Sequence, residues 1–237
     1  MTKKQAKDDQ PQAITSEGRV PKYLVFDTET TGLPLRAPKG APPIAADAEG
    51  QPRMASFAAI VTDEMGVEIS RFKAYIKPEN WTMAEFDARA IAEGKKPASA
   101  VNGLTDDFLN ENGVPVAEVL EYYSGAINDG LIVVAFNAIF DTKIMRGELR
   151  RASMDDLFDK TANICVMKAL DPYGASGLCI VRGFVKLADA CAFFGIAQSD
   201  AHDAMSDAED ARKLLAILIK DGLLPEPSIK RANNYAA

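Results

Sequence analysis

The sequence predicts an α/β fold, a mixed sheet flanked by helices, and three observations lead there. An aromatic and β-branched run at Tyr23–Phe26 is followed by a hairpin pattern, Ser56–Thr62 and Val67–Ile76 about the turn Asp63-Glu64-Met65-Gly66. A continuous apolar run from Leu131 to Phe136 reads as a central strand covered on both faces. From Trp81 onward apolar residues recur mainly at helical spacing.

With 237 residues and 47% hydrophobic content, the chain can bury a sizeable core and is most simply one domain with tails. Residues 1–18 are polar without periodicity and are expected to form a flexible leader, 19–224 the folded domain, and 225–237 a loosely held tail. The net charge of −7 argues against coating duplex DNA through many phosphate contacts. It leaves open a nucleic-acid enzyme whose acids are neutralised locally by metal ions. Cys165, Cys179 and Cys191 are odd in number and lack Cys-x-x-Cys spacing, which speaks against a disulfide framework or a thiolate zinc site. No signal-peptide core or apolar run of membrane length is present, so the expectation is a soluble cytoplasmic protein with no membrane contact.

The first strand runs from Tyr23 into Asp27-Thr28-Glu29-Thr30-Thr31-Gly32. Pro34–Arg53, rich in Pro, Gly and Ala, reads as a long loop, a surface insertion in preference to a flap over a site. Helices are expected from Thr82 to about Ala92 and from Val116 to about Ile127, with Thr82 and Pro115 at their starts. Between them Val101–Thr105 reads as a turn with a cap at Thr105. Asn137 stands as N-cap of a helix reaching about Arg150, which puts Asp141 on its first turn, just beyond the carboxyl end of the central strand. Open α/β sheets keep their ligands there. Asn163–Ala169 fits either a short strand or a helix start, Val185–Phe194 a helix stopped by Gly195, and Ala204–Ile219 a long amphipathic helix ended near Gly222. Lys143, Arg146, Arg150 and Arg151 read as a solvated charged face in preference to a basic strip for nucleic acid.

Side chains alternate along a strand, so Asp27 and Glu29 point to one side with Cα atoms about 6.5 Å apart. Two acids facing one spot repel unless a cation lies between them. The single histidine, His202, limits every histidine-based triad and multi-histidine metal site to one residue, whereas carboxylate sites for hard cations need none. On one helix His202 and Asp207 would lie about 140° apart, so the pair converges better if His202 precedes the helix and Met205, Ala208, Ala211, Leu215 and Leu218 face the core.

Taken in order, Asp27-Thr28-Glu29-Thr30-Thr31-Gly32, Ala135-Phe136-Asn137-Ala138-Ile139-Phe140-Asp141, and His202 with Asp207 five residues on resemble the three motifs of the DEDDh, or DnaQ-like, 3′-5′ exonucleases. That family includes the proofreading exonucleases of bacterial replicases. The resemblance runs from about Pro21 to Leu223 and implies a ribonuclease H-like fold with a mixed five-stranded sheet. It also implies that Asp27, Glu29, Asp141 and Asp207 hold two Mg²⁺ or Mn²⁺ ions, that His202 is the base, and that nucleoside 5′-monophosphates leave single-stranded DNA 3′ ends. Thr30 and Thr31 would hold the last nucleotide, Asn137 would help position the site, and Leu33 would wedge against a base. Phe136 and Asn102 stand where many relatives carry histidine, which bears on substrate preference. Two alternatives stay open: trimming of short RNA by the same site, and a non-catalytic nucleic-acid-binding module. The family's partners include DNA polymerases and second copies of the same chain.

Overall fold

The computed structural model describes residues 18–157, 160–198 and 202–229, so most of the expected leader lies outside them. Five strands form one mixed sheet in the order β3-β2-β1-β4-β5. β1 (Tyr23–Thr30), β2 (Met54–Thr62) and β3 (Glu68–Tyr75) are antiparallel, as the hairpin pattern predicts. β4 (Ile132–Ala135) and β5 (Asn163–Cys165) run parallel to β1. The mixed five-stranded sheet flanked by helices is the fold the sequence leads one to expect.

The first helical group lies at the β2–β3 side and has a core of its own. α1 (Met83–Ala92) starts at Thr82, whose side chain accepts from the Glu85 N–H. α2 (Ser99–Asn102) and α3 (Asp106–Asn112) follow, and the Thr105 hydroxyl caps α3 by accepting from the Phe108 N–H. Trp81, Met83, Leu104 and Leu109 bury together against Ala55 of β2. The turn expected at Val101–Thr105 thus begins inside a short helix, too brief to show an apolar period.

α4 (Val116–Asn128) covers one face of the sheet, where Tyr123 packs 5.5 Å from Phe26. α5 (Ala138–Arg151) follows β4 after two residues. β5 passes directly into α6 (Val166–Ala169), so both readings of Asn163–Ala169 are realised in sequence. A 3₁₀ turn at Asp171–Ser176 leads towards α7 (Leu187–Phe193), which is shorter at its start than Val185–Phe194. α8 (Ala204–Lys220) lies across β1 and β2 with Ala208, Ala211, Leu215 and Leu218 fully buried, while Met205 is only partly so.

One expectation is corrected. The arginines of α5 do not form a solvated face: Arg146 is buried and pairs with Asp156 at 2.8 Å, Arg150 reaches the same carboxylate at 2.7 Å, and Arg151 pairs with Glu148 at 3.1 Å. Lys143 is half-buried, and burial lowers its pKa. Of the expected tail, 230–237 lies outside the described residues, and within 225–229 Ser228 and Asn163 exchange backbone hydrogen bonds of 3.0 and 3.1 Å.

The Pro34–Arg53 segment has no regular structure, yet it is pinned. Buried Gln51 accepts from the Leu35 N–H and donates to the Ala45 carbonyl, both at 3.0 Å. Ala46 lies against α5 so closely that a Cβ on Gly147 would stand 2.5 Å from its carbonyl oxygen. Glu148, 1% exposed, receives Arg53 in a two-pronged ion pair and the Met54 N–H at 3.0 Å, fixing the end of the segment to α5.

Candidate active site

β1 outlasts β4, and that mismatch makes the site. The parallel pairing ends at Val25 with Val134, so β1 continues through Asp27 and Glu29 with one edge uncovered. The chain leaves β4, turns at Asn137 and returns as α5, which sets Asp141 beside this edge. Asp141 Oδ1 accepts from the Thr28 N–H at 3.1 Å and from the Thr28 hydroxyl at 2.8 Å. A carboxylate oxygen thereby takes the place of the missing strand's carbonyl.

Asp27 and Glu29 project from the face that α8 covers. Asp27 pairs in register with Ala58, which packs against Ala204 and Ala208 of α8. α8 is capped by Asp203, whose carboxylate accepts from the Met205 and Ser206 N–H groups at 3.1 Å. His202 stands just before this cap with a left-handed φ of 65° and an exposed side chain, so the helix does not dictate its direction. Its backbone donates to the Asp207 carboxylate. Ligand atoms of Glu29, His202 and Asp207 all lie within 4.8 Å of one another.

The electrostatics of this assembly are one-sided. Burial raises Asp27 well above the ordinary carboxylate range, with repulsion from Asp141, Asp207 and Glu29 adding to it. Burial and the charge of Asp207 push Glu29 up to about 8. Asp141 rises to about 7 through burial, against the lowering effect of the Thr28 hydrogen bonds. Asp207 rises to about 6 through burial, opposed by His202. These acids crowd one spot with His202 as the basic side chain beside them, and a hard divalent cation is the counter-charge that an all-oxygen carboxylate set suits.

The carboxylates line a cleft of about 660 Å³. All the residues assigned to nucleotide contact by sequence reach it: Thr30, Thr31, Leu33 and Asn137. Their side chains differ in freedom. The Thr30 hydroxyl donates to the Gly32 carbonyl at 2.7 Å and the Thr31 hydroxyl accepts from the Arg53 N–H at 2.9 Å, so both shape the loop. Leu33 is 79% exposed and projects from that loop. Asn137 occupies the N-cap position of α5, but its side chain makes no capping hydrogen bond.

Sequence reasoning missed several participants. Asn102 donates to the Thr30 carbonyl at 3.2 Å and hydrogen-bonds Glu29, holding the end of β1 from the α2 side. Thr28 supplies the Asp141 link. The far wall, from Phe86 to Lys96 around the end of α1, carries no motif. Thr28 lies inside the first motif of the family resemblance and Asn102 in a stretch that it also covers, but neither motif nor stretch assigns them these contacts.

The sequence model of the RNase T exonuclease family matches residues 24–215, a span that contains every element of this site. The chain belongs to that exonuclease family. It falls in the DEDDh 3′-5′ branch. The DNA polymerase III subunit epsilon of Treponema pallidum (strain Nichols) is 29% identical over 198 residues, which span 83% of this chain and 76% of that protein. Among solved structures, E. coli Exonuclease I in complex with a dT13 oligonucleotide superposes with a TM-score of 0.64 at 19% identity. That match covers 83% of this chain but 40% of Exonuclease I. The nuclease domain of 3′hExo, a DEDDh family member bound to rAMP, gives a TM-score of 0.64 at 15% identity and covers 88% of this chain and 96% of that one. Enzymes of this exonuclease family use divalent metals. Among the described residues, no helix of this member is long and apolar enough to cross a membrane.

Proposed function

We propose that this exonuclease removes nucleotides from the 3′ end of single-stranded DNA, or from unpaired 3′ ends, as nucleoside 5′-monophosphates. The carrying observation is that Asp27, Glu29, Asp141 and Asp207 line one cleft together with His202, whose ligand atoms lie within 4.8 Å of those of Glu29 and Asp207. The four carboxylates would hold two divalent cations, Mg²⁺ or Mn²⁺, which when bound activate the attacking water and stabilise the departing oxygen. Thr28 fixes Asp141 and Asn102 fixes Glu29, so the acids meet incoming cations in a set geometry. His202, outside the helix and exposed, takes the proton from the attacking water and releases it to solvent. Asn137, whose amide is not spent on capping, and the backbone of the Thr30–Thr31 turn hold the terminal nucleotide, while Leu33 meets its base.

DNA is the first choice because the epsilon relative is a DNA polymerase subunit and Exonuclease I was solved with dT13. By the same relation a polymerase is a candidate partner, the role is proofreading or repair, and the setting is cytoplasmic. RNA 3′ ends are the second reading, since the 3′hExo domain was solved with rAMP. The test is digestion of 5′-labelled DNA and RNA of one sequence with Mg²⁺ or Mn²⁺. Faster shortening of DNA supports the first reading, and faster shortening of RNA replaces it with the second.

A further inference from the structure

Four clustered acids repel the polyanion they are to cut, and bound cations relieve that only at the scissile phosphate. The rest of the strand needs cations elsewhere in the cleft. They stand at the end of α1, where Arg89, Lys95 and Lys96 line the same cavity as Asp27 and His202. Glu93 is the one acid among them, and Lys95 Nζ sits 2.5 Å from its carboxylate. Lys95, with help from Arg89, holds the Glu93 carboxyl below its ordinary range. Arg89 and Lys96 are therefore surplus positive charge, and both are exposed.

The wall is built in place. α1 ends at Glu93, Gly94 turns the chain with φ 68°, and the Lys95 N–H closes onto the Ala90 carbonyl at 2.8 Å, which brings Lys95 and Lys96 into the lining of the cleft. At the other end of α1, Asp106 accepts from the Met83 and Ala84 N–H groups at 2.6 and 3.0 Å. The Arg89 guanidinium lies 5.1 Å from the centre of the Phe86 ring and donates to the Gly50 carbonyl at 3.3 Å, joining this wall to the Pro34–Arg53 segment. Cations interleaved with an aromatic ring, in a groove continuous with a phosphodiester-cleaving site, are the arrangement that single-stranded nucleic acid recognises.

We propose that Arg89, Lys95 and Lys96, with Phe86, form a subsite for the phosphates and bases of a single strand upstream of the scissile bond. This rests on the exonuclease reading and extends it: the enzyme grips a short run of strand through the α1 wall. The net charge of −7 is reconciled with a polyanionic substrate because a local group of cations, Arg89, Lys95 and Lys96, lines the same cleft as the acids.

The experiment compares the wild type with Lys95→Ala/Lys96→Ala and Lys96→Glu. Fluorescence anisotropy follows 5′-labelled dT10 and competition by dTMP, with Ca²⁺ loading the acids, over a series of salt concentrations. Both variants are expected to melt as the wild type does, because the substituted side chains are exposed. The double variant should raise the dT10 Kd about tenfold relative to the dTMP Kd and flatten the log–log salt slope by about 1.4, roughly 0.7 for each cation removed. Lys96→Glu should weaken dT10 binding at least as much as the double variant. An unchanged Kd ratio and slope would overturn the subsite. Hydrolysis of dT10 in Mg²⁺ separates the two readings. Lysine-dependent binding without cleavage by the wild type sinks the exonuclease reading and keeps the subsite, and cleavage with lysine-independent binding does the reverse.

Discussion

Thr28 holds Asp141 twice, through its backbone N–H at 3.1 Å and its hydroxyl at 2.8 Å, so one residue of β1 positions a carboxylate that belongs to α5. Both bonds fall on one oxygen, Oδ1. Thr28→Val keeps the β-branched shape and the N–H while removing the hydroxyl. Kinetics across a Mg²⁺ titration should show a loss of about 10-fold in kcat/KM and a higher metal requirement, in line with one lost charge-assisted hydrogen bond. A variant as active as the wild type at low Mg²⁺ would show that the hydroxyl is incidental.

The crowded acids make the metal-free protein sensitive to pH in a stated direction. Asp207, Asp141 and Glu29 titrate near 6, 7 and 8 in the fold, above ordinary carboxyls, so between about pH 4 and 8 the native state binds more protons than the unfolded one. Stability should fall as pH rises through that window in EDTA. Mn²⁺ should restore it more at pH 8 than at pH 5, as read by melting temperature. Equal metal-induced shifts at the two pH values would count against a shared carboxylate site.

Asp27→Asn removes one of the repelling charges in place. We expect a metal-free protein at pH 8 more stable by about 1 kcal/mol, seen as about 2–4 °C in melting temperature for a chain of this size, together with loss of hydrolysis. A drop in stability would mean that Asp27 is held by favourable contacts that outweigh the repulsion.

His202 lies within 4.8 Å of ligand atoms on Glu29 and Asp207, near enough to be either base or ligand. The base role assigned to it requires His202→Ala to cut turnover about 10²–10⁴-fold while the Mn²⁺-induced melting shift stays close to that of the wild type. Loss of the melting shift along with the activity would make it a ligand.

Much of this architecture was legible in the residues. β1 and β4 are apolar runs that leave little choice of structure, and Asp27 and Glu29 share a face because the strand period is two. His202 was placed ahead of α8 by the five-residue spacing alone. The Thr28–Asp141 link was not legible, since it joins residues 113 apart and depends on β4 stopping short of β1. The α5 arginines were misread because their partners, Asp156 and Glu148, become visible only when the helix packs. α2 and α3 span too few turns to display a period, and the α1 wall has no residue pattern that distinguishes it from an ordinary charged helix end.

Glu148 ties the Pro34–Arg53 segment to α5 from a position that is 1% exposed. Glu148→Ala leaves Arg53 and Arg151 without their shared carboxylate and should cost about 3–5 kcal/mol in urea unfolding. A cost below about 1 kcal/mol would show that the segment is fixed by other contacts.

The central claim is that Asp27, Glu29, Asp141 and Asp207 form one metal-dependent site for 3′-terminal hydrolysis. Its most direct test is mass analysis of the products from 5′-labelled single-stranded DNA, for the wild type and Asp27→Ala, with Mg²⁺ and with EDTA. The wild type should shorten the strand from its 3′ end and release nucleoside 5′-monophosphates only with metal, and folded Asp27→Ala should release none. Release by Asp27→Ala at the wild-type rate, or shortening by the wild type in EDTA, would contradict the account.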